Sequence, residues 1–165
     1  MERDPMSIQV NDTIPNVTVQ VITPEGAAPA ETAELFKGKK VVLFGLPGAY
    51  TPTCSGNHVP GYVEKTDELR AKGVDEVLCL SVNDAFVMAA WEKDLGSGSK
   101  VTMIADGSAM FTKALGLELD LTEAGLGVRC DRCVMVVQDG KVEHLAIEAP
   151  QQFEVSSAEA VLSVL

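Results

Sequence analysis

The chain has 165 residues, 46% hydrophobic and 22% charged, the size and balance of a single globular domain that can bury a core without disulfide staples. Its formal net charge of −11, with 13 basic against 24 acidic side chains, argues against a nucleic-acid partner, which needs a basic face for phosphate. No apolar run approaches the ~20 residues that span a bilayer, and Met1-Glu2-Arg3-Asp4-Pro5 lacks signal-peptide form. The expectation is a cytoplasmic protein, or an organellar one if a transit peptide was removed, with no membrane contact.

Residues 1–7 read as a loose arm on one domain that takes in the whole of 1–165. A strand near Val17–Ile22 and a short helix near Thr32–Phe36 precede a strand near Lys40–Phe44. Behind that strand, Pro47-Gly48-Ala49-Tyr50-Thr51-Pro52-Thr53-Cys54 has the order turn, then helix start. A helix near His58–Lys72 carries Val59, Tyr62, Val63, Thr66 and Leu69 at helical spacing, and Pro60 is expected to kink it. A strand near Glu76–Val82, a helix near Ala85–Leu95, a strand near Val101–Ile104 and a helix near Ala109–Leu115 follow. Trp91, at helical spacing from Phe86, Val87 and Met88, reads as packing. Strands near Val128–Val137 and Lys141–Ile147 are joined by an Asp139-Gly140 hairpin signal. Ser156-Ser157-Ala158-Glu159 reads as a capping box opening a last helix, Ser157–Leu165, with Val161, Leu162 and Leu165 facing the core. Alternating strands and helices, then a hairpin and a closing helix, give an α/β, thioredoxin-like fold with a mixed central β-sheet flanked by helices.

Cys54 is the strongest candidate for chemistry. Thr51 suits the N-cap and Pro52 the first helical position, which places Cys54 in the first turn. Free backbone N–H groups and the positive end of the helix dipole favour a thiolate there, and the thiolate is the reactive form. Cleaving the O–O bond of a peroxide further requires the two oxygens to be oriented and the charge on the departing one to be stabilised. Thr51 can supply a hydroxyl. Arg129, opening a strand in Leu126-Gly127-Val128-Arg129, is the best offer of a fixed cation. Each residue also has a purely structural reading: an inert helix-start thiol, a cap, a strand-end ion pair. His58, four residues after Cys54, reads either as a thiol base or as a surface or dimer-contact residue. A thioredoxin-type disulfide reductase would need a second cysteine at the helix start, where Thr51 and Asn57 stand instead. A non-enzymatic redox sensor using the same thiol is the alternative to a peroxidase; it would oxidise once, where a peroxidase turns over.

Pro47, Thr51 and Cys54 reproduce the Pro-x-x-x-Thr-x-x-Cys motif of peroxiredoxins, and from about Ile8 to the C-terminus the chain resembles the peroxiredoxin-5 or plant type II subfamily. Leu35–Lys40, Ser81–Val87 and Met135–Gly140 carry further matches, and Ala105–Ser108 and Gly116–Leu121 look most like the plant type II branch. The resemblance implies a thioredoxin fold, a homodimer, and a peroxidase working without metal, flavin or other cofactor. It maps the peroxidatic cysteine onto Cys54 and its partners onto Pro47, Thr51 and Arg129, with Pro47 shielding the site from water. A hydroperoxide would convert Cys54 to a sulfenic acid, which thiols return to the reduced state.

The departures concern that return. Animal peroxiredoxin-5 forms have a resolving cysteine near the C-terminus, but none follows Cys133 here. Cys79, in the apolar run Val77–Val82, is the remaining internal resolving candidate, although its run suits a buried core residue. Reduction is therefore expected from an external thiol: glutathione with glutaredoxin, or thioredoxin. The family's Arg-Ser-x-Arg-Phe segment becomes Arg129-Cys130-Asp131-Arg132-Cys133. On one continuous strand Cys130 and Cys133 would point to opposite faces, a poor geometry for a disulfide, and a metal knuckle would need two further ligands. Structural filling is the expectation for both.

Overall fold

The computed structural model describes residues 7–98 and 100–165. Its centre is a seven-stranded mixed sheet in the order β2-β1-β5-β4-β3-β8-β9. These strands are β1 (Thr18–Thr23), β2 (Gly26–Glu31), β3 (Lys40–Leu46), β4 (Glu76–Ser81), β5 (Thr102–Ala105), β8 (Cys133–Gln138) and β9 (Lys141–Ile147). A separate two-stranded ribbon pairs β6 (Glu118–Leu121) with β7 (Gly127–Cys130). The helices are α1 (Thr32–Phe36), α2 (Val59–Ala71), α3 (Ala85–Leu95), α4 (Met110–Leu115) and α5 (Ala158–Leu162).

β3, β4 and β5 run parallel and every other pairing is antiparallel, as expected where α2 and α3 serve as crossovers and the chain then returns by hairpins. The Asp139-Gly140 turn joins β8 to β9 with both residues at positive φ, 48° and 80°, the conformation a two-residue hairpin demands.

The pleat divides the core in two. Along β3, Val42, Phe44 and Leu46 join a cluster with Tyr62 and Leu69 of α2, Met88 and Trp91 of α3, and Val161 of α5. Val41 and Leu43 join the opposite cluster, with Phe36 of α1 and Phe111 and Leu115 of α4. Both faces of the central strands are covered, so their sequence reads as one apolar run. Trp91 packs as expected, and its indole N–H also donates to Ser55 Oγ at 2.8 Å.

Four local expectations change. The apolar stretch expected as one strand, Val128–Val137, is two: β7 stops at Cys130, β8 starts at Cys133, and the chain bends through Asp131 and Arg132. β2 and β6 carry too few apolar residues to announce themselves, exposing or half-exposing every residue. The last helix is capped by Ser157, whose Oγ accepts from Ala160 N–H, while Ser156 Oγ donates to Glu148. Of the loose arm expected over residues 1–7, residues 1–6 lie outside the described ones; Ser7 is buried and its hydroxyl donates to Gly116 O.

Candidate active site

β3 delivers the chain into a tight loop after Leu46. Tyr50 takes a left-handed conformation, φ 65°, and Thr51 turns back so that its Oγ1–H donates to Gly48 O at 2.8 Å. Helix begins at Pro52, and its first bond runs from Ser55 N–H to Thr51 O. Thr51 thus occupies the cap position by its carbonyl, while its hydroxyl serves the loop and not the helix. Cys54–His58 then forms a π-helical turn, closed by Val59 N–H donating to Cys54 O. Pro60 cannot offer an N–H to the preceding turn, so the backbone widens immediately ahead of it, where a kink was expected. π-Helical turns are uncommon and cluster at functional sites.

Cys54 is fully buried, and a cation reaches it: Arg132 donates from one guanidinium nitrogen to Cys54 Sγ at 3.0 Å. The other terminal nitrogen donates to His58 Nδ1 at 2.8 Å. His58, only 1% exposed, in turn donates from Nε2 to Ser156 O at 3.0 Å. That carbonyl can only accept, so the proton sits on Nε2 and leaves Nδ1 as an acceptor for Arg132. Burial first, then the Arg132 charge, lower the His58 pKa to about 3 against a smaller opposing effect of the Ser156 carbonyl, so the ring is neutral near pH 7. Phe153 closes the arrangement, edge-on to His58 at 5.1 Å and beneath the Arg132 guanidinium at 5.8 Å.

The segment that supplies Ser156 O is itself held by one carboxylate. Glu148 accepts from the N–H groups of Glu154, Val155 and Ser156 and from Ser156 Oγ, while its own N–H donates to Arg132 O. Burial would raise the Glu148 pKa, but these hydrogen bonds outweigh it and the net shift is downward. Tyr62 OH makes the second bond to Ser156 O, at 2.7 Å, and its ring stacks on Phe44.

Cys54, Thr51 and Pro47 therefore lie together in one loop and helix start, as the sequence placed them. Arg129 does not occupy the place expected of it. Its Nε donates to Leu126 O and a terminal nitrogen to Pro47 O at 3.3 Å, so it braces the Pro47 loop while Arg132 holds the thiol. Arg132 stands in the bend between β7 and β8: Cys130 and Cys133 on either side of it face the α1/α4 side, while its guanidinium reaches Cys54 on the opposite side. His58 is neither a surface residue nor a base aimed at the thiol, since its Nδ1 is engaged by Arg132. Cys79, paired with Phe44 across β3 and β4, shares the Cys54 side of the sheet. It is fully buried, and burial followed by the nearby Cys54 pushes its thiol up. All four cysteines are free thiols. Cys130 and Cys133 do fill core, but the bend between them cancels the opposite-face argument.

Comparison with known proteins places the chain in a family. The redoxin family matches residues 9–162. Peroxiredoxin-2B of Arabidopsis thaliana is 48% identical over 159 residues, covering 96% of this chain and 98% of that protein. Among solved structures, reduced Prx3 from Vibrio vulnificus in complex with hydrogen peroxide superposes with a TM-score of 0.90 at 50% identity, covering 95% of this chain and 98% of that one. Peroxiredoxin 5 from Alvinella pompejana gives 0.83 at 35% identity, covering 94% and 96%. With a thiol at a helix start, a guanidinium on its sulfur and these relatives, the chain belongs to the redoxin family and is a type II peroxiredoxin, a thiol-dependent peroxidase.

Proposed function

We propose that Cys54 is the peroxidatic nucleophile and that Arg132, not Arg129, is its electrostatic partner; the observation that carries this is the 3.0 Å contact between the Arg132 guanidinium and Cys54 Sγ. The thiolate attacks the distal oxygen of a hydroperoxide, the O–O bond breaks, and water or an alcohol leaves as the sulfur becomes a sulfenic acid. A fixed donor already in place where negative charge moves from sulfur to oxygen lowers the barrier without reorganisation at the moment of reaction. Thr51 contributes through its lone pairs. Its proton is committed to Gly48 O, so the hydroxyl oxygen is left to accept the O–H of the incoming peroxide and turn the O–O bond toward sulfur. Pro47 shields the loop from water, and Arg129 fixes its carbonyl.

The second half of the cycle uses an external thiol, glutathione with glutaredoxin or thioredoxin. Cys79 is a poor internal substitute because it is buried in β4, a central strand paired on one side with β3 and on the other with β5, so reaching it would require the middle of the sheet to open. The working unit is a homodimer, and the role is antioxidant defence and cell redox homeostasis.

The deciding experiment follows peroxide consumption with glutaredoxin/glutathione and with thioredoxin offered separately, on the natural chain and on Cys54→Ser. Turnover with at least one reductant, lost in Cys54→Ser, is expected. Activity surviving that substitution would assign the chemistry elsewhere.

A further inference from the structure

Two buried thiols take no part in the cycle just described. Cys130 ends β7 and Cys133 begins β8, and the bend between them returns both side chains to the α1/α4 side of the sheet. There they converge on Gly45, opposite Cys133 in the β3–β8 register. A Cβ on that glycine would lie 2.8 Å from Cys130 Sγ and 3.0 Å from Cys133 Sγ, so the missing side chain is what leaves room for the two sulfurs together. Cys130 Sγ donates to Asp131 O at 3.3 Å. Cys130 itself belongs to the β6–β7 ribbon, four residue pairs long and tied at this end by Asp131 N–H to Leu117 O. Such a two-stranded ribbon is among the first parts of a fold to open. The residue between the thiols that points the other way is Arg132.

We infer that Cys130 and Cys133 form a second thiol–disulfide couple, closed by hydroperoxide, whose bridge alters the bend that aims Arg132 at Cys54. In the closing reaction one sulfur attacks the peroxide, the O–O bond breaks, and an alcohol or water leaves with a sulfenic acid formed. The second thiol then attacks that sulfur, the S–O bond breaks, the S–S bond forms, and water departs with the remaining proton. One hydroperoxide is reduced and two thiols are oxidised. The bridge ties residues 130 and 133 across the turn that carries Arg132. Its effect on the enzyme rests on Arg132 being the clamp of the peroxidatic thiol.

The test uses the full chain with Cys54→Ser and Cys79→Ser, leaving only the two thiols in question. After excess hydrogen peroxide and denaturation, both are expected to escape alkylation together. The mass should be lower by two hydrogens, a 130–133 bridge should map by peptide mass, and dithiothreitol should restore both thiols. Adding Cys133→Ser should abolish the bridged species. Two alkylatable thiols, or separate oxidation of each without a bridge, would overturn the couple; the same mapping on the natural chain gives the answer should the double variant not fold. A second arm oxidises the Cys79→Ser chain, recovers Cys54 with glutathione, and measures its rate with peroxide while the bridge is intact. A slowing of about 10²-fold, reversed by dithiothreitol, is expected from a displaced positioning group; an unchanged rate would overturn the link to Arg132. In Arg132→Ala the bridge should still form but no longer change the rate. If Arg132→Ala alone reacted as fast as the natural chain, the failure would lie in the role given to Arg132 and not in the thiol couple.

Discussion

Arg132 divides its guanidinium between Cys54 Sγ at 3.0 Å and His58 Nδ1 at 2.8 Å, and a planar fork can serve two acceptors at fixed angles in a way that an ammonium cannot. Arg132→Ala is expected to slow Cys54 oxidation by roughly 10²–10³-fold, the usual effect of deleting one donor at a site of developing charge. Arg132→Lys should recover only part of that rate. Stopped-flow peroxide kinetics measure it; an unchanged rate would remove Arg132 from the mechanism. His58→Leu removes the acceptor that holds the fork and is expected to cost about tenfold in rate, equivalent to one buried donor left unsatisfied. His58→Asn keeps an acceptor near the Nδ1 position and should recover most of that loss. The ring also gives a pH signature. Its pKa of about 3 in the folded chain lies below the ordinary value near 6.5. The unfolded chain therefore binds the extra proton first, and the stability conferred by the neutral ring is present above pH ~6.5 and lost as pH falls toward 3. His144 is lowered in the same direction by burial, so the informative quantity is a difference. Denaturant unfolding between pH 7.5 and 5 should show a slope shallower by up to about one proton in His58→Asn than in the natural chain.

At the scale of elements, the reactive helix start was legible because its punctuation is local. Thr51 and Pro52 mark a cap and a first turn by their own chemistry, and Cys54 follows from counting. The identity of the cation was not legible, because β8 is buried on both faces and an unbroken apolar run carries no phase. Without a phase, nothing in the sequence says which of Arg129 and Arg132 faces the thiol, or that the strand breaks between Cys130 and Cys133. The role of His58 was hidden for a different reason: its partners, Arg132 and Ser156, lie 74 and 98 residues away. Glu148 ties that distant segment down with bonds to residues 154–156. Glu148→Ala should release it, raising hydrogen exchange at the Glu154, Val155 and Ser156 amides and costing about 1–2 kcal/mol of stability. Exchange unchanged at those amides would show that the segment is held by packing instead. Since the Glu148 pKa is lowered, its contribution is complete above the unfolded carboxylate value near 4.3 and disappears as pH falls through the folded one.

Across the whole molecule, the parallel strands β3, β4 and β5 end on one side, and the loop after β3 and the first turns of α3 and α4 carry large exposed side chains. Tyr50 is 51% exposed, Phe86 88% and Met110 61%, all within a chain whose net charge is −11. Exposed apolar side chains at this end of the sheet in an otherwise acidic protein make it the face on which the proposed dimer contact is tested. Phe86→Glu should give a monomer by sedimentation velocity at micromolar concentration with the fold retained by circular dichroism, where the natural chain is expected to sediment as a dimer; equal sedimentation would place the contact elsewhere. Trp91, meanwhile, is the single tryptophan of the chain, and its indole N–H is joined to Ser55, the neighbour of Cys54. Any rearrangement of the π-helical turn when sulfur gains oxygen must disturb that bond. The protein thereby carries its own optical gauge, and the emission of one indole can time each oxidation and each recovery with no dye attached.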